Sequence, residues 1–297
     1  MRSHFIKTLI QIAEKDGRVV LLSGDLGFGV LEEFIAQFPK RFYNVGVAEQ
    51  NMVGVAMGLA EAGLLPFCYS IASFMTMRPY EFIRTASLQR LPIRLIGTGP
   101  GFTYSHLGPT HYSIEDIALM RCQPGITSII SADYKQAQLA LKATYDLPQP
   151  IYYRLYKDGG NLIASLGSDF DLSKAYEITK GKKTLLISMG AASVEALGAV
   201  KKFKNKIGHI IVSNFNPGPD QFLISKIKQY QQVITVEDHF INGGLGSYVA
   251  ELIAENNLQV PLVRLGVKQP LSSISGEQKF MHAQHGFSAE DICRHVQ

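Results

Sequence analysis

Cysteine is scarce in this 297-residue sequence. Cys68, Cys122 and Cys293 are far apart and odd in number, which excludes a disulfide framework and a zinc-type spacing and fits a reducing compartment. No apolar run reaches the roughly 18 residues of a membrane span, and the amino-terminal stretch 5–12 is interrupted by Lys7 and Gln11. Neither a membrane segment nor a signal peptide is expected, and the sequence reads as that of a soluble, cytoplasmic protein. Charge is sparse as well: Asp, Glu, Lys and Arg make up 18% of the chain, with 29 basic against 25 acidic residues and a net charge of +4. Without a long basic block, nucleic acid is not an expected partner, whereas small anionic ligands are compatible. Short repeats and low-complexity tracts are missing. What is present is 46% hydrophobic residues, the composition of a globular chain, and a length that at roughly 150 residues per domain suggests two domains.

Short β-rich runs alternate with segments of helical period. Residues 19–22, 67–71, 93–97, 126–131 and 151–155 read as buried strands, with helices over 3–15, 48–63, 74–89 and 134–145 between them. This alternation predicts a parallel α/β layer. From Tyr156 to Lys183 the pattern gives way to Gly, Ser and Asp, including the turn Asp158-Gly-Gly-Asn161. A linker over 161–182 therefore divides a first domain, 1–160, from a smaller α/β domain, 183–297. The second domain is expected to have strands at 184–188, 209–213, 233–236 and 262–265 and helices near 192–204, 220–230 and 245–255.

The run from Tyr43 to Ala60 is the most informative in the chain, because Glu49 opens a helix otherwise made of small and apolar residues. Gly54, Ala56, Gly58 and Ala60 allow close approach of another helix or chain, so the helix is expected to be buried. A glutamate in the first turn can face the helix dipole in water. Buried, it is suited to hold or share a proton.

Val47-Ala-Glu-Gln-Asn-Met52, Tyr69-Ser-Ile-Ala-Ser-Phe74, Leu107-Gly-Pro-Thr-His111 and Glu115-Asp-Ile-Ala-Leu-Met-Arg121 together resemble the pyrimidine-binding domain of transketolases. Val236-Glu-Asp-His-Phe-Ile-Asn-Gly-Gly-Leu-Gly246 is similar to the start of the transketolase carboxy-terminal domain, so the resemblance covers essentially the whole chain. It implies a thiamine-diphosphate-binding parallel-sheet domain followed by a smaller α/β domain, and thiamine diphosphate as cofactor.

The resemblance also implies roles for individual residues. The glutamate matching Glu49 hydrogen-bonds a ring nitrogen of the cofactor's aminopyrimidine and favours the imino tautomer that removes the thiazolium proton. Phe74, Met77 and Tyr80, at i, i+3 and i+6, match the pocket in which that ring stacks, although the spacing alone is also that of ordinary core packing. Met77 stands where an aromatic residue is typical, and a thioether can still cover a ring face. Asp25 matches an aspartate near the cofactor at a subunit interface, and equally suits a turn. His111 matches a histidine that reaches the reacting centre. Arg2 and Arg154 match arginines that grip a sugar phosphate through forked donors.

Other positions depart from the family. Leu107 replaces an acidic residue that recognises the hydroxyl beside the reacting carbonyl, which favours an apolar or deoxygenated neighbour. Gly29 and Gly99 replace polar phosphate-binding residues. Ordinary pentose-phosphate cycling is thereby put in doubt, and a non-standard sugar substrate is expected. The Gly-Asp-Gly motif that in this family holds magnesium and the diphosphate does not occur, no metal site is expected in this chain, and His282-x-x-His285 lacks further ligands. The resemblance therefore points to the carboxy-terminal subunit of a split transketolase. Such a subunit would form a homodimer core within an α2β2 heterotetramer, and an amino-terminal subunit would supply the diphosphate and magnesium site. The competing readings are the β subunit of a 2-oxo-acid dehydrogenase decarboxylase, which shares the architecture, and a non-catalytic scaffold or regulatory subunit that kept the fold.

Overall fold

A computed structural model describes residues 1–157, 162–163, 166–203, 206–269 and 274–296. The turn Asp158-Gly-Gly-Asn161 lies outside the described residues. Two sheets organise the chain. The first has seven strands in the order β10 (Asn214–Phe215), β5 (Thr127–Ile130), β6 (Ile151–Leu155), β4 (Arg94–Thr98), β3 (Leu65–Ile71), β1 (Val19–Ser23) and β2 (Phe42–Asn44). All neighbours are parallel except β10, which pairs antiparallel with β5. Because successive strand residues point to opposite faces, Leu21 and Leu22 enter different cores. Leu21 joins Phe5, Leu9, Ala140, Leu141 and Tyr153 under helices α1 (Arg2–Ala13) and α7 (Tyr134–Thr144). Leu22 joins Met52, Val53, Ala56 and Ile83 under α3 (Glu49–Glu61) and α5 (Tyr80–Gln89). Because helices cover both faces of the sheet, β1, β4 and β6 are buried along their whole length and are mostly apolar, with Arg94 and Arg154 as the charged exceptions.

The single helix expected over 74–89 is two: α4 (Ala72–Met77) and α5, with Pro79 between them. Proline has no N–H to continue the ladder, and its ring collides with the carbonyl four residues earlier.

The second sheet runs β12 (Leu262–Val267), β11 (Gln232–Phe240), β8 (Thr184–Ser188), β9 (Gly208–Ile211) and β7 (Tyr176–Thr179), parallel but for the antiparallel edge strand β7. Strand β7 falls inside the stretch expected to be linker. Among the helices packed on this sheet, α8 (Ala192–Lys202) sits against α12 (Ala289–His295), whose start is fixed by reciprocal bonds between Ser288 and Asp291. Among the described residues, no helix is long and apolar enough to cross a membrane.

Candidate active site

Glu49 is the first residue of α3, beside the carboxyl ends of β1 and β3, the edge where parallel α/β sheets place their ligands. Its side chain is only 1% exposed. Ser70, at the end of β3, donates its hydroxyl to Glu49 Oε1 at 2.9 Å, and Arg78 donates Nη1–H to Oε2 at 2.6 Å. Gly24, just past β1, makes room for the carboxylate: a Cβ there would stand 3.3 Å from Oε1. The Arg78 guanidinium carbon also lies 3.8 Å from the centre of the Phe74 ring, and the His111 ring meets Phe74 edge-on with centroids 5.3 Å apart. Glu49, Arg78, Phe74 and His111 thus form one continuous line of contacts.

Three residues singled out in the sequence, Glu49, Phe74 and His111, are brought together, and the residue joining them was not among those singled out. Its sequence signal was available, since Arg78 sits four residues beyond Phe74, the spacing at which helical side chains meet. Met77 ends α4 half-exposed. The break at Pro79 places Tyr80 on a different helix from Phe74, so the expected i, i+3, i+6 row is not one helical face. The Tyr80 hydroxyl instead donates to Leu119 O at 3.1 Å and accepts from Gln123 Nε2 at 2.7 Å. Asp25 is exposed in the left-handed region, with φ +58°, and accepts from Asn44 Nδ2 at 2.9 Å, the geometry of a turn residue one position past Gly24.

His111 hangs on a loop, residues 99–115, that the second domain clamps. Asp238 of β11 accepts from the Phe102 N–H at 3.3 Å, and Gly101, at φ +60°, is required there because a Cβ would fall 2.1 Å from the Asp238 carboxylate. The Tyr112 hydroxyl donates to Ile274 O at 2.8 Å, and Ser105 donates to Gly276 O. At the loop's tip, Thr110 Oγ1 and His111 Nδ1 are 2.9 Å apart. Leu107, four residues earlier, is 52% exposed. Gly99 has no space for the polar side chain it replaces, because a Cβ would meet the Tyr104 ring at 1.9 Å. Gly29 lies in an exposed turn whose N–H donates to Glu32 Oε1 at 2.6 Å.

Arg154 lies in the interior. It is wholly buried, and its donors are used within the protein: Nε to Asp116 Oδ2 at 2.7 Å, Nη2 to Asp116 Oδ1 at 3.2 Å, Ser113 O at 3.2 Å and Asp238 O at 3.0 Å, and Nη1 to Tyr156. Tyr152 adds its hydroxyl to Asp116 at 2.7 Å. Arg154 ties the first domain to the second, and its wholly buried guanidinium is bound to these partners. Arg2, by contrast, is partly exposed and donates to the Tyr104 hydroxyl at 3.3 Å, while the exposed Lys157 ammonium lies 6.0 Å from the centre of the same ring. Positive charge gathers there around Tyr104.

Behind the clamped loop, the domain junction carries further titratable groups. Burial pushes the Glu237 carboxyl up to about 8, against the pull of the Leu245 and Gly246 N–H groups that it caps at 2.8 Å each. Burial works against the charged form of His282, but Asp238 and Glu195, at 3.6 and 3.3 Å, outweigh it and raise its pKa to about 9. Among the described residues, no three His, Cys, Asp or Glu side chains are grouped so that they could hold a metal ion.

The family model for the transketolase pyrimidine-binding domain matches residues 1–160, and that for the transketolase C-terminal domain matches 173–292. A Methanocaldococcus jannaschii protein named for the transketolase C-terminal section is 34% identical over 302 residues, covering 100% of this chain and 95% of the relative. A 6-deoxy-6-sulfo-D-fructose transketolase subunit from Clostridium sp. (strain MSTE9) is 32% identical over 99% of this chain and 92% of its own length. A solved structure described as a split-gene transketolase, an inactive β4 tetramer, superposes with a TM-score of 0.89 at 28% identity, over 99% of this chain and 95% of that one.

Proposed function

This chain belongs to the transketolase family of transferases, and from that premise we propose that it is the carboxy-terminal subunit of a two-gene, thiamine-diphosphate-dependent transketolase that moves a two-carbon ketol unit from a ketose to an aldehyde. One observation carries the reading: a carboxylate with 1% exposure, Glu49, joined through Arg78 to an aromatic face, Phe74, that a loop histidine touches. These residues fit the pyrimidine half of the cofactor. The diphosphate half and its magnesium are assigned to a companion subunit, because the Gly-Asp-Gly motif that holds them in this family does not occur in the sequence. When bound, the cofactor supplies the nucleophilic carbon that the side chains of this chain lack.

The chain's own groups have separate tasks. Glu49 holds a proton at a pyrimidine nitrogen, while the Ser70 hydroxyl fixes the orientation of its carboxylate. Phe74 would offer a face for the cofactor's ring to stack on, and the half-exposed thioether of Met77 would help to cover it. Asp25 contacts the cofactor from the turn beyond Gly24. His111 moves a proton at an oxygen of the substrate. Arg2 and Lys157 draw the anionic end of the sugar toward Tyr104. Leu107 presents an apolar surface to the carbon next to the reacting carbonyl, which suits an aldehyde without a hydroxyl there; a relative that carries a sulfosugar in its name is consistent with a non-standard substrate. The assembly is an α2β2 tetramer in the cytoplasm, a reducing compartment that suits three unpaired cysteines.

The test uses the chain assembled with its companion subunit. Glu49→Gln is expected to leave assembly intact and to cut turnover by orders of magnitude, without rescue by added cofactor. Near wild-type turnover at saturating thiamine diphosphate overturns the assignment.

A further inference from the structure

Arg78 occupies both features that make this a pyrimidine site. Its Nη1 is 2.6 Å from Glu49 Oε2, and Ser70 already holds the other oxygen. Its guanidinium lies 3.8 Å above the centre of the Phe74 ring. A guanidinium is a flat cation with N–H donors in its plane, and an aminopyrimidine is a flat ring with an exocyclic amine beside a ring nitrogen. The two species call for the same partners, an in-plane carboxylate and an aromatic face below. They cannot both use one oxygen and one ring face at the same time.

We propose that Arg78 is a displaceable placeholder: it compensates the buried Glu49 charge until the cofactor's pyrimidine arrives, and then swings outward to release Glu49 Oε2 and the Phe74 face. The proposal rests on the reading above, in which Glu49 meets that ring. The surroundings allow the movement. Arg78 follows the last residue of α4, its own backbone N–H is held by Phe74 O, and 41% of its side chain faces solvent, so the guanidinium can leave by side-chain rotation alone. Glu49 is fixed within the protein and cannot make the complementary move. A buried carboxylate left without a charged partner is costly, with only the Ser70 hydroxyl on its other oxygen, which explains why a fold that must keep this site ready would place a cation on it. Binding then becomes an exchange of one donor for another, and the affinity of the ring is lowered by the strength of the contact it replaces. A half-exposed ion pair combined with one stacked guanidinium corresponds to about tenfold in affinity, ~1.4 kcal/mol.

The experiment titrates the full chain with 4-amino-5-hydroxymethyl-2-methylpyrimidine, the cofactor's ring half, in wild type and in Arg78→Gln, Arg78→Lys and Glu49→Gln. Arg78→Gln is expected to lower the unfolding midpoint and yet bind the pyrimidine about tenfold more tightly. Arg78→Lys, a point charge without a flat face, should fall between the two. An arginine that merely braces Glu49 would lose stability and affinity together, and that result overturns the proposal. The Arg78 Nε–H resonance in nitrogen-15 arginine spectra gives a second readout that needs no variant. It should shift as thiamine diphosphate and magnesium saturate wild-type chain assembled with its companion, and a resonance that stays in place while the cofactor binds overturns displacement but leaves the proposed function standing. If Glu49→Gln binds the pyrimidine as wild type does, both readings fall together.

Discussion

Replacing Arg154 by Met separates a structural from a substrate-binding role for that residue. The guanidinium and the Asp116 carboxylate are both fully buried, and Arg154 also bonds the carbonyls of Ser113 and Asp238 across the domain junction. Methionine keeps much of the volume and removes the charge. Asp116 is then left with the Tyr152 hydroxyl as a donor, and two buried carbonyls lose their Arg154 bonds. Breaking a buried ion pair from one side costs about 3–5 kcal/mol, which for a chain of this size lowers the thermal midpoint by roughly 6–20 °C. The sequence has no tryptophan, so far-UV circular dichroism is the convenient readout. Lys157→Ala is the matched control. Its side chain is exposed near Tyr104, so its melting curve should coincide with wild type while the KM for a phosphorylated acceptor rises. An Arg154→Met enzyme that melts like wild type and shows a raised KM for the phosphorylated acceptor would refute this reasoning and restore Arg154 as a phosphate ligand.

Three further outcomes are expected. Because the pKa of His282 rises on folding from about 6.5 to about 9, its stabilisation is fully present below pH ~6.5 and is lost as pH climbs through 9; urea midpoints measured from pH 6 to 10 should fall by an amount equivalent to ~3 kcal/mol, and His282→Gln should flatten that dependence. Leu107→Asp, at an exposed position, should leave the unfolding midpoint unchanged and shift kcat/KM toward acceptors with a hydroxyl beside the aldehyde; an unchanged preference would reduce Leu107 to a surface residue. Gly99→Ser restores a polar side chain but forces a Cβ onto the Tyr104 ring at φ +64°, so it should lower the thermal midpoint without improving the KM for a phosphorylated acceptor.

The elements that could be read from the sequence were those whose own periodicity sufficed. The helix over Leu245–Glu255 and the strands Ile151–Leu155 and Thr184–Ser188 fall where their apolar patterns put them. The helix expected over 74–89 divides at Pro79, because the apolar period continues across the proline although the backbone ladder cannot. Strands β2, β7 and β10 are two to four residues long and are defined by their neighbours in the sheet, information that a local pattern does not contain. At the site, Glu49 stood out as a lone carboxylate in an apolar helix, whereas Arg78 is one of many cations and gains its meaning only when folding sets it over Phe74. Arg154 shows the opposite pattern. A motif match supplied a role, and burial beside Asp116, 38 residues away in sequence, gives it another.

Strand β10 bears on how the molecule is made. Asn214 and Phe215 close the outer edge of a sheet whose other strands all end by Leu155, helped by the bond from the Ile130 N–H to Ser213 O at 2.8 Å and by that from the Thr127 hydroxyl to Asn216 O at 2.7 Å. During synthesis, a nascent chain would complete six strands and then wait about 60 residues for the seventh, with the outer backbone edge of β5 left unpaired. A polypeptide cut near residue 160 would keep that edge permanently open, in the form most prone to pair with another copy of itself. The two halves are therefore not interchangeable beads, and swapping one for that of a relative would have to carry residues 213–216 along with the first half.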